Sequence, residues 1–408
     1  MNCRSCGHVA DLPLIDLGTS PPSNAYLTES GLDVPEVWYP LRVLVCESCW
    51  LVQTQDFTRA DEIFHSEYAY FSGYSSTWVD HCRSFAAQIG DLLALDSDSM
   101  VIEVASNDGT MLREFEKLGA GCLGIEPTAS TAAVARQAGL TVLEEFLTAE
   151  LGRRLQREGV QADLLVANNV LAHVPEIVDF ATGCGLLLSK DGVATFEFPY
   201  LVDLIASAQF DTIYHEHFSY LSLLATEVIL KSAGLHVFNA ERIPTHGGSL
   251  RVFAQRTDAG NRSEEPGLNE IRRLEDSLGV ASPDFYSGFQ GRADEISHDL
   301  SRFLLEAEGN GETVAAYGAA AKGNTLLNFA GVRQDLVQWV ADRNPAKVGM
   351  FLPGSRIPIV DESAVRGHRP KYILILPRNL STEVSEQLNY IREWSGLFVT
   401  AVPKLTIW

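Results

Sequence analysis

Tyr214-His215-Glu216-His217-Phe218-Ser219-Tyr220 sets two imidazoles, a carboxylate and two phenols within seven residues. Histidine beside a carboxylate is the usual arrangement for a base that works near neutral pH. The adjacent His, Glu and His lack the i, i+4 spacing that offers two helical ligands to one ion, which disfavours a metal here. The ordinary alternative is a helix start whose histidines are satisfied by hydrogen bonds. Asn168-Asn169-Val170-Leu171-Ala172-His173 adds amides and a third imidazole. Glu67-Tyr68-Ala69-Tyr70-Phe71-Ser72-Gly73-Tyr74 is rich in aromatic and hydroxyl groups, which serve either a pocket or packing between domains. Thr245-His246-Gly247-Gly248-Ser249-Leu250-Arg251 offers polar groups at a turn whose two glycines also suit a hairpin.

Val101–Thr110 reads as a strand running into a turn and a helix. In the first βα unit of a doubly wound sheet that turn meets the cofactor. It carries Glu103, Asn107, Asp108 and Gly109 in place of Gly-x-Gly-x-x-Gly. Asn tolerates left-handed backbone angles, so Asn107 can replace a glycine. Acids beside a helix N-terminus repel a pyrophosphate and suit a cation. S-adenosylmethionine, with its sulfonium and amino group, fits better than a dinucleotide. Glu126 ends the next strand, 23 positions after Glu103, where a carboxylate accepts hydrogen bonds from ribose hydroxyls. Phe146 follows the third strand and is placed to lie against adenine, and Asn168 and Asn169 follow the fourth.

Cys3-x-x-Cys6 and Cys46-x-x-Cys49 can supply four thiolates to one tetrahedral ion, so a structural zinc is expected, with no open position for chemistry. Cys82, Cys122 and Cys184 read as buried small apolar residues. Tyr317-Gly318-Ala319-Ala320-Ala321-Lys322-Gly323-Asn324-Thr325 follows a strand and opens a helix. Its small residues and Lys322 suit a phosphate, either of NAD or of a nucleotide-linked substrate, or else close packing alone.

These groups need elements to hold them. Apolar runs at Met100–Val104, Cys122–Ile125, Leu140–Leu143, Leu164–Ala167, Val193–Phe198, His236–Ala240 and Leu250–Gln255 alternate with helical patterns, the sign of a parallel sheet covered on both faces, the last two runs forming a hairpin. A second alternation runs through Thr313–Tyr317, Leu336–Val340 and Tyr372–Leu376. The fold expected is α/β: a doubly wound Rossmann-like domain at 61–256, a small loop-rich zinc-binding domain at 1–60, and a second Rossmann-like domain at 257–408. The 408 residues carry a net charge of −22, which opposes nucleic-acid binding. No run of 18 apolar residues predicts a membrane span, and Met1–Cys6 lacks the layout of a signal peptide, so the expected location is the cytoplasm. A monomer is compatible with the sequence.

Taken in order, the paired Cys-x-x-Cys, Glu103–Gly109, Asn168–Pro175, Tyr214–Tyr220, His246–Arg251 and Tyr317–Thr325 resemble the S-adenosylmethionine-dependent C-methyltransferases that act on nucleotide-linked 4-keto-6-deoxy sugars in antibiotic biosynthesis. The resemblance covers essentially the whole chain. It implies a dTDP-sugar held between the two larger domains, with His246, Ser249, Arg251, Gly318, Lys322 and Asn324 toward the substrate. It also implies His217 as base, Tyr214 and Glu216 as its neighbours, His173 as a second active-site histidine and Tyr68 as an aromatic hydroxyl. The expected chemistry is removal of a proton beside the C-4 ketone, at C-3′ rather than C-5′, followed by attack of the enolate carbon on the sulfonium methyl. Glu216 is expected to set the tautomer of His217. The alternatives are a nicotinamide-dependent sugar oxidoreductase and a non-catalytic binding protein.

Overall fold

The computed structural model describes residues 1–57, 72–74 and 76–408, so Tyr68 lies outside the described residues. Strands β4 (Met100–Val104), β5 (Gly121–Ile125), β6 (Val142–Leu143), β7 (Ala162–Asn168), β8 (Leu188–Pro199), β10 (Leu235–Ile243) and β11 (Ser249–Arg256) form one sheet in the order β10-β11-β8-β7-β4-β5-β6. β4 to β8 run parallel to one another, and β10 and β11 close the edge as a hairpin whose β11 lies antiparallel to β8. The cause lies in the apolar runs. Along β4, Val101 enters one core cluster with Leu164 and Val166, while Ile102 and Val104 enter another with Leu165 and Ala167. Side chains alternate across a strand, so a continuous apolar run needs cover on both faces.

The N-terminal region corrects the loop-rich expectation. β1 (Leu12–Ser20), β2 (Tyr39–Val45) and β3 (Val52–Thr54) pair antiparallel, and β9 (Ser219–Tyr220) joins the edge of β3. Pro13 suggests a break, but it sits at a register shift of the edge strand β1, where a missing N–H is tolerated.

The C-terminal sheet has the order β14-β13-β12-β15-β16-β17, from β12 (Val314–Tyr317), β13 (Val340–Asp342), β14 (Ile359–Asp361), β15 (Tyr372–Ile375), β16 (Leu397–Thr400) and β17 (Thr406–Ile407). Leu336 and Val337 turn back to the carbonyl of Arg333, so the strand expected at Leu336–Val340 starts at Val340 instead. Among the described residues no helix is long and apolar enough to cross a membrane.

Candidate active site

The ligand edge of the central sheet is its carboxyl edge. After β4 the chain takes left-handed angles at Ala105, Asn107 and Gly109, with φ of 56°, 51° and 76°. Glu103 is buried, and burial together with Asp108 and Glu126 raises its carboxyl well above the ordinary range. Its Oε2 has no hydrogen-bond partner among the described residues, nor has either amide atom of Asn168 at the end of β7. Glu126 accepts from the backbone N–H of Asn107 at 2.9 Å and of Thr128 at 2.8 Å. Asn107 and Asp108 also accept from the N–H groups of Ser72 (2.9 Å) and Gly73 (2.8 Å), so both side chains anchor the segment before the helix Ser76–Leu93. Phe146 is 47% exposed, leaving a ring face available to a ligand. Buried acceptors without partners and three crowded carboxylates suit a cationic donor.

The imidazole cluster stands at the same edge. His173 closes the turn Leu171–His173 after β7, and its ring meets that of His217 edge-on at 4.6 Å. Burial pushes His173 down to about 4, so it is neutral at pH 7. His217 Nδ1 lies 2.8 Å from the carbonyl of Thr212, and a carbonyl only accepts, so Nδ1 carries the proton. Nε2 is therefore the basic atom, and the Tyr214 hydroxyl donates to it at 2.8 Å. This corrects the expected role of Glu216. Its carboxylate instead receives Asn24 Nδ2, at 2.7 and 2.9 Å, while Thr212 fixes the tautomer. His215 turns away, toward the Pro40 carbonyl at 3.3 Å and the Tyr39 ring.

Several residues expected at the substrate turn inward. Ser249 is buried and donates to the Thr245 carbonyl at 3.0 Å. Arg251 is buried over the Phe85 ring and pairs with Glu197 at 3.1 Å and Glu241 at 2.6 Å. Asn324 is buried, with its amide on the Ser23 carbonyl at 2.6 Å. Each satisfies a neighbour's polar group that burial would otherwise leave costly. A Cβ at Gly318 would meet Pro377 Cδ at 2.6 Å, so this glycine serves packing. Asp342 accepts the Ala319 N–H at 2.7 Å, putting a carboxylate on the turn read as phosphate-binding. Lys322, pushed down to about 8 by burial, stands near the Arg378–Asp211 pair. The side chain of His246 lies outside those described.

The sequence reading missed Glu197, which holds His81 at 2.9 Å, Arg251 and Thr245 from inside β8. A charge within Thr195-Phe196-Glu197-Phe198 was its visible signal. It also missed Thr212, which acts through a carbonyl and leaves no trace in residue type.

The Sγ atoms of Cys3, Cys6, Cys46 and Cys49 lie within 4.8 Å of one another, with Cys3–Cys49 at 3.5 Å and Cys6–Cys46 at 3.6 Å. A zinc tetrahedron with bonds of about 2.3 Å has edges of about 3.8 Å, so the four thiolates fit the ion. The two knuckles match: Gly7 and Trp50, at φ of 76° and 59°, return their N–H groups to the carbonyls of Cys3 and Cys46.

A sheet of this order that turns acids toward its ligand edge, rather than a glycine loop for phosphates, places the chain in a class, the S-adenosylmethionine-dependent methyltransferases. Sequence families described as zinc binding domain, methyltransferase domain and C-methyltransferase C-terminal domain match residues 3–64, 79–239 and 244–403. The C-methyltransferase NovU of Streptomyces niveus is 32% identical over 402 residues, 98% of this chain and 95% of its own. A 1,6-didemethyltoxoflavin N1-methyltransferase from Burkholderia thailandensis is 16% identical, with TM-score 0.38, over 51% of this chain and 96% of its own. The magnesium protoporphyrin IX methyltransferase of Synechocystis, solved with bound S-adenosylmethionine, is 17% identical, with TM-score 0.33, over 44% of this chain and 78% of its own. The chain belongs to the C-methyltransferase family of NovU, with S-adenosylmethionine as methyl donor and a zinc-binding N-terminal domain.

Proposed function

We propose that the enzyme methylates the carbon beside the C-4 ketone of a dTDP-4-keto-6-deoxy sugar, at C-3′, in deoxysugar and antibiotic biosynthesis. The observation that carries this reading is His217, with Nδ1–H locked on Thr212 and its Nε2 behind the hydroxyl of Tyr214, a more exposed residue. A base fixed this way can take the proton of an acidic C–H, and the likeness to C-methyltransferases favours carbon over an amine or hydroxyl as the nucleophile. Tyr214 takes the carbon's proton as its own passes to Nε2. The C–H electron pair becomes the enolate, and neutral His173 donates to its oxygen. S-adenosylmethionine supplies the methyl cation. Glu103, Glu126 and Asn168 orient the donor, and Lys322 beside Arg378 attracts the diphosphate.

Methyl transfer to dTDP-4-keto-6-deoxy sugars, with carbon NMR of the product, tests the proposal. The new methyl is expected on C-3′. His217→Asn should lower kcat by about 10²–10⁴-fold with donor affinity nearly unchanged. Transfer to oxygen, or wild-type turnover in that variant, would refute it.

A further inference from the structure

Besides the Asn24–Glu216 and Pro40–His215 contacts and the pairing of β3 with β9, the described zinc-binding unit grips the backbone on either side of His217. The Thr54 hydroxyl donates to the His217 carbonyl at 2.6 Å. Thr54 N–H donates to the Phe218 carbonyl at 3.0 Å, and Arg4 Nε donates to the same oxygen at 3.3 Å. Arg4 also donates to the Thr54 carbonyl at 2.8 Å, and its backbone N–H donates to Gln53 Oε1 at 3.0 Å. Its side chain is 5% exposed, and its guanidinium pairs with Asp56 and lies 5.2 Å from the centre of the Phe218 ring. On the other side, Phe218 N–H donates to the carbonyl of Ala172, next to His173, at 2.8 Å. The backbone around His217 is thus held between the zinc-binding unit and the turn that carries the second imidazole.

Both arms of this clamp start at metal ligands. Arg4 lies between Cys3 and Cys6, and Thr54 ends the strand that follows Cys49. Four thiolates on one ion fix the distance between the knuckles, and so the distance between Arg4 and Thr54. Fastening the zinc-binding unit to its neighbours needs no such arrangement. The pairing of β1 with β2 and the Leu27–Phe351 bridge already tie it together and to the C-terminal unit.

We propose that Arg4 and Thr54 are positioning residues for His217, so that the zinc-binding unit sets the register of the base as well as stabilising the chain. This rests on His217 being the base. Tyr214 must meet the C–H within about 3–3.5 Å while its hydroxyl stays on His217 Nε2, so the pair is sensitive to small backbone shifts, and a misplacement near 1 Å costs up to about 10²-fold.

The test uses zinc-replete Arg4→Met and Thr54→Val, with Arg42→Met as control, since Arg42 pairs with Asp16 on an exposed part of the same sheet. The expected result for Arg4→Met and Thr54→Val is unchanged bound zinc, KM for both substrates within about twofold, and kcat lower by about tenfold or more. The control should match wild type. A second readout needs no turnover. Nitrogen-15 spectra of the ring, assigned by loss of the signals in His217→Asn, should show the Nδ1–H tautomer in wild type and a mixture in both variants. Zinc-replete Arg4→Met or Thr54→Val with wild-type kcat and an unmixed Nδ1–H tautomer would overturn the proposal. If Arg4→Met fails to fold, Thr54→Val, which removes one hydroxyl, decides alone. Altered ring signals in a chain inactive on nucleotide sugars would support the clamp while removing the proposed substrate.

Discussion

Glu103, Asp108 and Glu126 crowd one turn, and their mutual repulsion gives donor binding a pH signature. Glu103 is raised by burial first and then by its two acidic neighbours. Its folded value therefore lies above the unfolded one, and without donor it keeps a proton at pH values where a free carboxyl would not. A cation in the turn favours the ionised form, so binding releases that proton, and donor affinity rises with pH until Glu103 ionises unaided. The sign for stability is opposite: the stabilisation is complete below the unfolded value and is lost as pH rises through the folded one. Calorimetry in buffers of different ionisation enthalpy, carried out stepwise upward from the ordinary carboxyl range, should report proton release for wild type and little for Glu103→Gln. That variant should also bind the donor about tenfold more weakly or worse. Equal heats for wild type in all buffers would remove Glu103 from the donor site. At this scale residue type was a good guide to the acids and imidazoles, since charge in an apolar strand end is conspicuous. It was a poor guide to partners. Nothing in Thr212 or Asn24 signals that one holds the tautomer of His217 and the other donates to Glu216.

Elements carry the constraint that glycine identity makes visible. The hairpin from β10 to β11 turns through Gly247 and Gly248 at φ of 93° and 111°, and a Cβ on Gly248 would come within 2.4 Å of Asp203 Oδ2. Asp203 is held by Arg242 and cannot simply swing away. Gly248→Ala should therefore lower stability by about 1–3 kcal/mol, seen as a lower Tm. By contrast, a Cβ at Gly291, inside the helix Phe289–Gly309, meets nothing within 4 Å. Gly291→Ala should raise stability by about 0.5–1 kcal/mol, so equal Tm changes in the two variants would defeat the argument. The alternating apolar runs made the central sheet legible, because a strand buried on both faces leaves a dense signal. The N-terminal sheet was hidden because its fourth strand, Ser219–Tyr220, arrives from a distant part of the chain. β14 and β17, with three and two residues, are too short to show a period.

The whole molecule is anionic while its two proposed ligands differ in sign. A net charge of −22 creates a field that attracts a sulfonium donor and repels a nucleotide diphosphate. Lys322 and Arg378 offset that field only at short range, and Asp211 lies against Arg378. Salt shortens the reach of the net charge to about 8 Å near 0.15 M, from about 30 Å at 0.01 M. Raising ionic strength across that range should therefore increase kcat/KM for the nucleotide sugar and decrease it for S-adenosylmethionine. A neutral crowding agent, which leaves charge unscreened, should not reproduce this divergence. Both constants falling together would mean that local cations, rather than the net charge, govern substrate capture. The steering surface would then have to be sought around Lys322 and Arg378, where charge reversal of Arg378 should abolish the salt response for the sugar and spare that for the donor.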